Sequence, residues 1–305
     1  MVNYAALDFG SNSTRALIAS VENGEINKIG KKHIVTKMAE GTSSSGNISK
    51  SAIARVTEAV SILLEEINKY EVRSIYAVGT SAMRDSNNFL EVKKTIKEKF
   101  NLDIEVISGI EEAKLTLEGA LYGFSEDQNT ILFDIGGGST EVIYRDQQML
   151  SPISYQLGVV RISEEVLPSR PVVDAEEERA VELIDSLILK DGMDFSTFDF
   201  THAIGTAGTF TSIAAISLEL DTHDHKKTHL HTIEKDWLKE FYYKLRELSP
   251  EEIINNYSCL DPARSTTITP GVLIAVKLME NFKINKLVIS ENDILEGLIL
   301  NKVLN

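Results

Sequence analysis

The chain has 305 residues, 43% of them hydrophobic, and a formal net charge of −15. This length and composition can bury an ordinary core and suit one large domain or two smaller ones. The acidic charge argues against general nucleic-acid binding, because that function needs a basic surface that displaces counterions from phosphates.

The sequence contains no sign of membrane insertion or export. No run approaches the roughly 20 apolar residues of a membrane span, and the N-terminus opens into a predicted strand without a basic segment and an apolar signal core. The single cysteine, Cys259, excludes an internal disulfide and fits a reducing compartment. We therefore expect a cytoplasmic protein with no membrane partner.

Two segments begin with an aspartate at the end of an apolar run and break at once into small residues. They are residues 8–13 (DFGSNS) and 134–139 (DIGGGS), and each is followed by a second predicted strand. Such a turn can bring backbone N–H groups against a phosphate while the carboxylate holds a hydrated magnesium ion. Taken singly, each is also typical of an ordinary turn. The pair predicts a duplicated core with a phosphate gripped from two sides.

The segments after the first hairpin predict alternating helices and strands. Residues 40–47 (EGTSSSGN) are small and polar and predict a loop, and Ser49 is a predicted N-cap of a helix that continues to Ile67. A buried strand over residues 74–78 then leads to Arg84 and its small neighbours. Small residues and an arginine at the carboxyl end of a strand indicate the edge of a site.

A strand over residues 104–107 leads into a helix that begins with Glu111 and Glu112 and continues to about Tyr122. Strands that alternate with helices predict an α/β fold, in which ligands bind beyond the carboxyl ends of strands. A carboxylate at a helix start complements the helix dipole, and one at this position could also take a proton from water. The pattern leaves open which glutamate has which role.

The polar residues from 123 onward mark the predicted domain boundary. We expect a first domain over residues 1–122, completed by a C-terminal helix over 293–305, and a second over 123–292. The other elements predicted in the second half are a helix at 174–189, a strand near Ala203, helices at 237–248 and 269–281, and a strand at 286–289.

Further polar residues each allow two interpretations. Glu141 could face the same metal as Asp134 or be a surface carboxylate. Arg15, Arg84 and Arg264 lie near small-residue loops, where a planar guanidinium suits phosphate oxygens, although most arginines are solvated. Residues 205–209 (GTAGT) indicate either a helix packed tightly on a strand or another anion-binding turn.

Four histidines, His223, His225, His229 and His231, resemble a metal cluster. Their polar and charged neighbours, among them Lys226, are typical of a connection between helices. The pattern therefore favours a solvated loop over a metal site.

In order along the chain, these motifs resemble those of the exopolyphosphatase/guanosine pentaphosphate phosphatase (Ppx/GppA) family. The segments that carry the resemblance are residues 8–15, 40–41, 46, 49, 80–85, 108–113, 134–141, 156–158, 205–209 and 296–298. The resemblance implies an α/β fold of two ribonuclease-H-like domains from the actin and sugar-kinase superfold, with an interdomain cleft. It also implies a short, two-domain member that releases terminal phosphate from inorganic polyphosphate, guanosine pentaphosphate or both with Mg2+, and it suggests a homodimer.

The resemblance also implies roles for single residues. Glu112 matches the glutamate that activates the attacking water, Arg15 and Arg264 match phosphate-binding arginines, and Asp134 and Glu141 match metal-associated carboxylates. The candidates that complete the predicted site are Asp8 for the metal and, for the substrate, Ser11, Asn12, Ser13, Arg84, Gly136, Gly137, Gly138, Ser139, Gly205 and Thr206.

One residue departs from the family pattern, since Leu295 stands where many members place an arginine before Glu296 and Gly297. Two other functions use similar loops, namely an ATP-dependent kinase of the same superfold and a non-catalytic sensor of polyphosphate or guanosine pentaphosphate. Nothing resembles a sugar or acetate acceptor site. The Glu112, Asp134 and Glu141 set favours a hydrolase over a sensor, because a sensor needs no base.

Overall fold

The structure is a computed structural model that describes residues 1–22, 25–124, 129–145, 150–190 and 200–304. As far as residue 123 the elements are β1 (Val2–Phe9), β2 (Ser13–Glu22), β3 (Glu25–Val35), α1 (Thr42–Ser45), α2 (Lys50–Ile67), β4 (Val72–Gly79), α3 (Ser81–Arg84), α4 (Phe89–Phe100), β5 (Glu105–Val106) and α5 (Gly109–Ala120).

The elements that follow are β6 (Thr130–Ile135), β7 (Thr140–Arg145), β8 (Leu150–Tyr155), α6 (Val159–Glu165), α7 (Asp174–Leu189), β9 (His202–Thr206), α8 (Ala207–Ser217), α9 (His225–Thr228), β10 (Thr232–Glu234), α10 (Lys235–Leu245), α11 (Pro250–Asn256), α12 (Ile268–Asn281), β11 (Lys286–Ile289) and α13 (Ile294–Leu304). No helix in the described part of the chain is both long and apolar enough to span a membrane.

The chain divides into two compact units. The first comprises Met1–Gly123 and Asn292–Asn305, and the second comprises Phe124–Glu291. Each unit has its own buried apolar side chains, for example Phe9 and Leu63 in the first and Phe133 and Phe210 in the second.

The sheet of the first unit has the strand order β3-β2-β1-β4-β5. β1, β2 and β3 are antiparallel neighbours, whereas β4 runs parallel to β1 and β5 runs parallel to β4. The carboxyl ends of β1 and β4 therefore meet at one edge of the sheet, where the N–H of Thr80 donates to the carbonyl of Phe9 over 3.3 Å. This edge carries the first Asp-Gly loop and the start of α3.

The sheet of the second unit repeats that order and adds one strand. It runs β8-β7-β6-β9-β11-β10, with the first three strands antiparallel and with β9 and β11 parallel to β6. β10 is the added strand and pairs antiparallel with β11. The predicted duplication of the core is confirmed by the two strand orders.

Local patterns predicted several helices correctly. The side chain of Ser49 accepts a hydrogen bond from the N–H of Ala52 over 3.1 Å and caps α2, and the predicted helix over 174–189 is α7. The prediction of a plain loop over residues 40–47 is wrong. One helical turn, α1, forms there between Gly41 and Gly46, which take left-handed conformations with φ of 74° and 69°, and such conformations favour glycine.

The C-terminal helix α13 packs backbone to backbone on α5 in the first unit. A Cβ atom added to Gly119 would lie 1.9 Å from the carbonyl oxygen of Asp293, and one added to Gly297 would lie 1.8 Å from that of Leu115. The glycine of the Glu296-Gly297 motif is therefore required by helix packing. Leu295 is fully buried in the apolar cluster of this unit, so the departure from arginine places an apolar side chain in the core.

Candidate active site

The two Asp-Gly loops form the same tight hairpin turn, one in each unit. The N–H of Gly10 donates to the carbonyl of Ser13 over 3.0 Å, and the N–H of Gly136 donates to that of Ser139 over 2.9 Å. In the first hairpin Asp8 pairs with Arg15, and in the second Asp134 pairs with Glu141. Directly paired side chains lie on the same face of a sheet. The aspartate thus faces a cation in one unit and a second carboxylate in the other.

The carbonyl groups of the first loop are held by the segment that follows β3. The carbonyl of Ser11 accepts from the N–H of Ala39 over 2.9 Å, and that of Asn12 accepts from the N–H groups of Thr36 and Lys37 over 2.9 and 2.8 Å. The Ser11 hydroxyl lies 2.8 Å from that of Ser81. No described hydrogen bond uses the N–H groups of Ser11 and Asn12, so the loop can offer them to an anion.

The second loop is held in the same way by the start of α6. The carbonyls of Gly136 and Gly137 accept from the N–H groups of Val159 and Val160, each over 3.0 Å. A Cβ atom on Gly158 would lie 2.2 Å from the Gly137 oxygen, so a glycine is required beneath the loop. This contact explains the motif at residues 156–158. Within the described part of the chain, no hydrogen bond occupies the N–H groups of Gly137 and Gly138.

Asp8 is a buried carboxylate with one satisfied oxygen. Its Oδ2 accepts from Nε and Nη2 of Arg15 over 3.0 and 2.6 Å, while its buried Oδ1 has no hydrogen-bond partner among the described residues. Burial raises the pKa of Asp8, against the opposing effect of Arg15. Carboxylate oxygens are the ligands that Mg2+ prefers in proteins. The spare oxygen of Asp8 therefore fits a bound magnesium ion.

Arg15 also reaches a carboxylate near the end of the chain. Its Nη1 donates to Oδ2 of Asp293 over 2.6 Å, and Nζ of Lys31 lies 3.2 Å from the same oxygen. Lys31 and Lys28 also pair with the fully buried Glu296, over 3.3 and 2.9 Å. Sequence reasoning missed Asp293 and Lys31. For Asp293 the only signal in the sequence was its position close to the Glu296-Gly297 motif. Lys31 had no signal, because it lies in a strand that the sequence did not predict.

The start of α5 separates the roles of the two adjacent glutamates. The Ser108 side chain accepts from the N–H of Glu111 over 3.2 Å and caps the helix, and the Glu111 side chain is exposed. Oε2 of Glu112 accepts from Nη1 of Arg84 over 2.7 Å, and the Glu112 side chain is 17% exposed. Burial raises the pKa of Glu112, while Arg84 lowers it and nearby Asp8 adds to the rise. A base with a raised pKa is better matched to neutral pH.

In the second unit, the turn after β9 lies beside Asp134. The parallel register of β6 and β9 pairs Asp134 with Thr206, and Ala207 has a φ of 65°, which an alanine rarely adopts. A Cβ atom on Gly208 would lie 2.1 Å from Nη2 of Arg264, so the guanidinium lies directly against this glycine. The turn therefore lies against Arg264, which is the last residue of the 3₁₀ turn Pro262–Arg264.

The interpretation of residues 205–209 as a helix packed tightly on a strand is confirmed by the contacts of Gly205. A Cβ atom on Gly205 would lie 2.5 Å from Leu287 and 2.6 Å from Phe210, which is close strand-to-helix packing. Glu141 accepts a hydrogen bond from the Ser154 hydroxyl over 2.9 Å.

The predicted site residues thus fall into two groups. The first unit holds Asp8, Ser11, Asn12, Ser13, Arg15, Arg84 and Glu112, and the second holds Asp134, Gly136, Gly137, Gly138, Ser139, Glu141, Gly205, Thr206 and Arg264.

His225 is exposed, as the predicted solvated loop requires, but His223 and His225 also contact a carboxylate from a distant part of the chain. His223 Nε2 and His225 Nδ1 each lie 3.0 Å from an oxygen of Glu291, a buried residue at the end of β11. Burial alone would raise the pKa of Glu291, but hydrogen bonds from His223, His225 and Thr228 hold it well below its usual range. Sequence spacing missed this contact because Glu291 is 66 residues from His225 along the chain.

Two α/β units of one strand order, each with an Asp-Gly hairpin where its central strands end, define a protein of the actin-like superfold. Residues 17–305 match the model of the Ppx/GppA phosphatase family, and the chain belongs to that family. It is a hydrolase by that membership. The predicted fold class and family are confirmed.

Three known proteins illustrate the similarity. The chain is 31% identical to a bifunctional 3-dehydroquinate synthase/phosphatase of Fusobacterium nucleatum over 99% of its own length, and it spans 46% of that protein. It is 27% identical to exopolyphosphatase 2 of Mycobacterium tuberculosis, covering 98% of each chain. A solved structure of the Aquifex aeolicus Ppx/GppA family member aligns with a TM-score of 0.85 at 24% identity, over 99% of this chain and 98% of that one.

Proposed function

We propose that this protein is a magnesium-dependent, cytoplasmic hydrolase that releases terminal phosphate from inorganic polyphosphate, guanosine pentaphosphate or both. The observation that carries the proposal is the placement of Glu112. A largely buried carboxylate with a raised pKa lies 2.7 Å from Arg84, in the same unit as the Asp8 hairpin. Family membership and the duplicated hairpins support the same function.

Substrate binding falls to the backbone of the two hairpin loops and to arginines. Polyphosphate and guanosine pentaphosphate both end in a phosphoanhydride whose terminal phosphate carries up to two negative charges. Backbone N–H groups and guanidinium groups can bind such a phosphate. Residues 11–13 serve in the first unit, with Arg84 beside them, and residues 136–139 serve in the second, with Gly205, Thr206 and Arg264. A carbonyl-anchored loop does not need to reorganise to present its N–H groups, and this rigidity favours phosphoryl transfer.

Glu112 is the proposed general base. It orients a water molecule and takes its proton as the water attacks the terminal phosphorus, and the bond to the leaving phosphate oxygen breaks. Arg84 positions the carboxylate of Glu112 and opposes the rise in its pKa that burial causes. Arg15 spans Asp8 and Asp293, so we assign it to holding Asp8 in place and to offsetting negative charge at the first loop.

Magnesium is the proposed cofactor, with Asp8 as a ligand in the first unit and Asp134 and Glu141 in the second. When bound, the ion neutralises charge on the phosphate oxygens. Asp8 offers it a buried oxygen that no described residue satisfies. Asp134 and Glu141 offer two carboxylates from paired positions on neighbouring strands.

The decisive experiment measures magnesium-dependent phosphate release from long-chain polyphosphate, short-chain polyphosphate and guanosine pentaphosphate side by side. Glu112→Gln should lower turnover by about 10²- to 10⁴-fold, the usual cost of losing a general base, while substrate binding persists. Glu111→Gln is the matched control, because Glu111 lies one residue away on the same helix and is exposed. Its turnover should stay near that of the wild type.

Two outcomes would contradict the proposal. Near-normal turnover in a folded Glu112→Gln protein would remove Glu112 from the chemistry. Tight binding by the wild type without phosphate release from any of the three substrates would identify a sensor in place of an enzyme.

A further inference from the structure

His223, His225 and Glu291 form a compact cluster within the second unit, separate from the residues assigned to the active site. His223 Nε2 lies 3.0 Å from Oε1 of Glu291, His225 Nδ1 lies 3.0 Å from Oε2, and the two imidazole centroids are 4.7 Å apart. One ligand atom from each of the three residues lies within 4.8 Å of the other two. An ion that contacts all three needs only small side-chain movements.

The donor set determines the kind of ion. Two imidazole nitrogens and one carboxylate are typical ligands of Zn2+, with bonds of about 2.0–2.2 Å, and imidazole also suits Co2+ and Ni2+. Mg2+ and Ca2+ prefer oxygen ligands throughout, so the cluster discriminates against the cation of the proposed active site. Three protein ligands leave at least one position for water.

The surrounding contacts hold the ligands in position. The Thr228 hydroxyl donates to Oε1 of Glu291, and the N–H of Glu291 donates to Nδ1 of His229 over 3.3 Å. The Asp224 side chain accepts from the N–H of Lys226 over 3.0 Å and caps the turn that carries His225. Hydrogen bonds from surrounding residues to the ligating side chains fix the orientation of those side chains at metal sites.

Exposure increases from the anchor of the cluster to its outermost ligand. The side chain of Glu291 is 6% exposed, that of His223 is 27% exposed and that of His225 is 61% exposed. An ion from solvent can therefore reach the cluster through His225 and meet a fixed, buried carboxylate. A path of entry is one of the requirements for a metal site.

We propose that His223, His225 and Glu291 bind a transition metal ion of the Zn2+ class. The ion would join the segment at residues 223–228 to the end of β11. Ser290, the preceding residue, donates its N–H to the Gly205 carbonyl over 2.9 Å and accepts from the Thr206 hydroxyl over 3.2 Å. Occupancy therefore braces the strand end beside the Gly205-Thr206 turn.

A metal-free alternative exists, in which the two imidazoles only donate hydrogen bonds to Glu291. Titration of tag-free protein with Co2+, in excess Mg2+ that fills sites for hard cations, separates the two, because Co2+ bound by imidazole nitrogen with four or five ligands absorbs visible light more strongly than the hydrated ion. We expect one Co2+ per chain, displaced by Zn2+, and a rise in melting temperature with Zn2+.

Two variants and one control test the assignment. Glu291→Gln keeps the shape of the side chain, and His225→Asn alters an exposed residue, so both should fold. Each should weaken Co2+ binding at least about tenfold. Even a residue that only hydrogen-bonds to a metal ligand changes the affinity for the metal about 10- to 100-fold. His202→Gln, a histidine of the same unit on β9, should bind like the wild type. Equal binding by wild type and His225→Asn, or no stoichiometric Co2+ binding by the wild type, would overturn the proposal.

Discussion

Nη1 of Arg84 lies 2.7 Å from Oε2 of Glu112, and this ion pair opposes the effect of burial on the glutamate. Burial raises the pKa of Glu112, whereas Arg84 lowers it. A general base works in its ionised form, so the acid limb of the pH profile of kcat/KM should report the pKa of Glu112 in the free enzyme.

Replacing Arg84 by methionine removes the group that lowers this pKa. The acid limb of kcat/KM for phosphate release should therefore move to higher pH in Arg84→Met, while Arg84→Lys, which keeps the charge, should move it less. Arg84 is also assigned to substrate binding, so the height of the profile should fall in both variants. The position of the limb is the informative quantity, and an unchanged or lower position in Arg84→Met would contradict the assignment of Glu112.

Asp8→Asn tests the fit of magnesium to the first unit. The change replaces a charged oxygen that has no described partner and also weakens the pairing with Arg15. The magnesium concentration needed for half-maximal phosphate release should rise at least about tenfold. Loss of a residue that only hydrogen-bonds to a metal ligand already lowers metal affinity about 10- to 100-fold. Asp103→Asn, with a side chain 81% exposed, is the control. The same magnesium dependence in Asp8→Asn and wild type would exclude Asp8 as a ligand.

Gly208→Ala separates loss of function from loss of stability. The added methyl group would meet the guanidinium of Arg264 at 2.1–2.4 Å, and the end of this side chain would have to move away. Alanine is a better helix former than glycine by up to about 1 kcal/mol, and Gly208 lies in the first turn of α8. We expect a melting temperature at or above that of the wild type together with a higher KM.

Arg264→Gln should show the same rise in KM if the glycine acts through the arginine. The double variant should then be no worse than Arg264→Gln alone, since the two changes remove one interaction. Independent, additive losses in KM would show that Gly208 has a role apart from Arg264.

The sequence predicted the structural elements that are specified by residues close together in the chain. The Asp-Gly hairpins and the helices α2 and α7 follow from strand-end chemistry, capping and apolar periodicity over a few turns. β3 was missed because its residues, apart from Ile26, are not buried in a regular alternation, and β10 has only three residues. Elements without a local pattern are specified by their neighbours in the sheet.

Contacts between distant residues could not be predicted in this way. Asp293 reaches Arg15 across 278 positions, and Glu291 reaches His225 across 66. A single sequence shows which residue types are present but not which of them the fold brings together. The ordered family motifs supplied the roles of Glu112, Asp134 and Arg264. For Asp293 they gave only its position close to the Glu296-Gly297 motif, and for Lys31 they gave nothing.

Asp293→Asn tests the ion pairs that tie the end of the chain to the first hairpin. Oδ2 of Asp293 accepts from Arg15 and Lys31 over 2.6 and 3.2 Å, Oδ1 accepts from the N–H of Leu295 over 3.0 Å, and the side chain is 6% exposed. Breaking a buried ion pair by removing one partner costs about 3–5 kcal/mol. We expect a loss of that order in the free energy of unfolding at pH 7, measured by urea denaturation.

The pH dependence of this loss follows from the pKa of Asp293. Burial alone would raise that pKa, but Arg15 and Lys31 hold it below its ordinary value of 3.8. The stabilising contribution of Asp293 is therefore complete above about pH 4 and decreases as the pH falls through the lower, folded-state pKa. The difference between wild type and Asp293→Asn should be constant from pH 7 to 5 and shrink below pH 4. A difference that grows on acidification, or one no larger than that of the exposed Asp103→Asn, would show that the ion pairs contribute little.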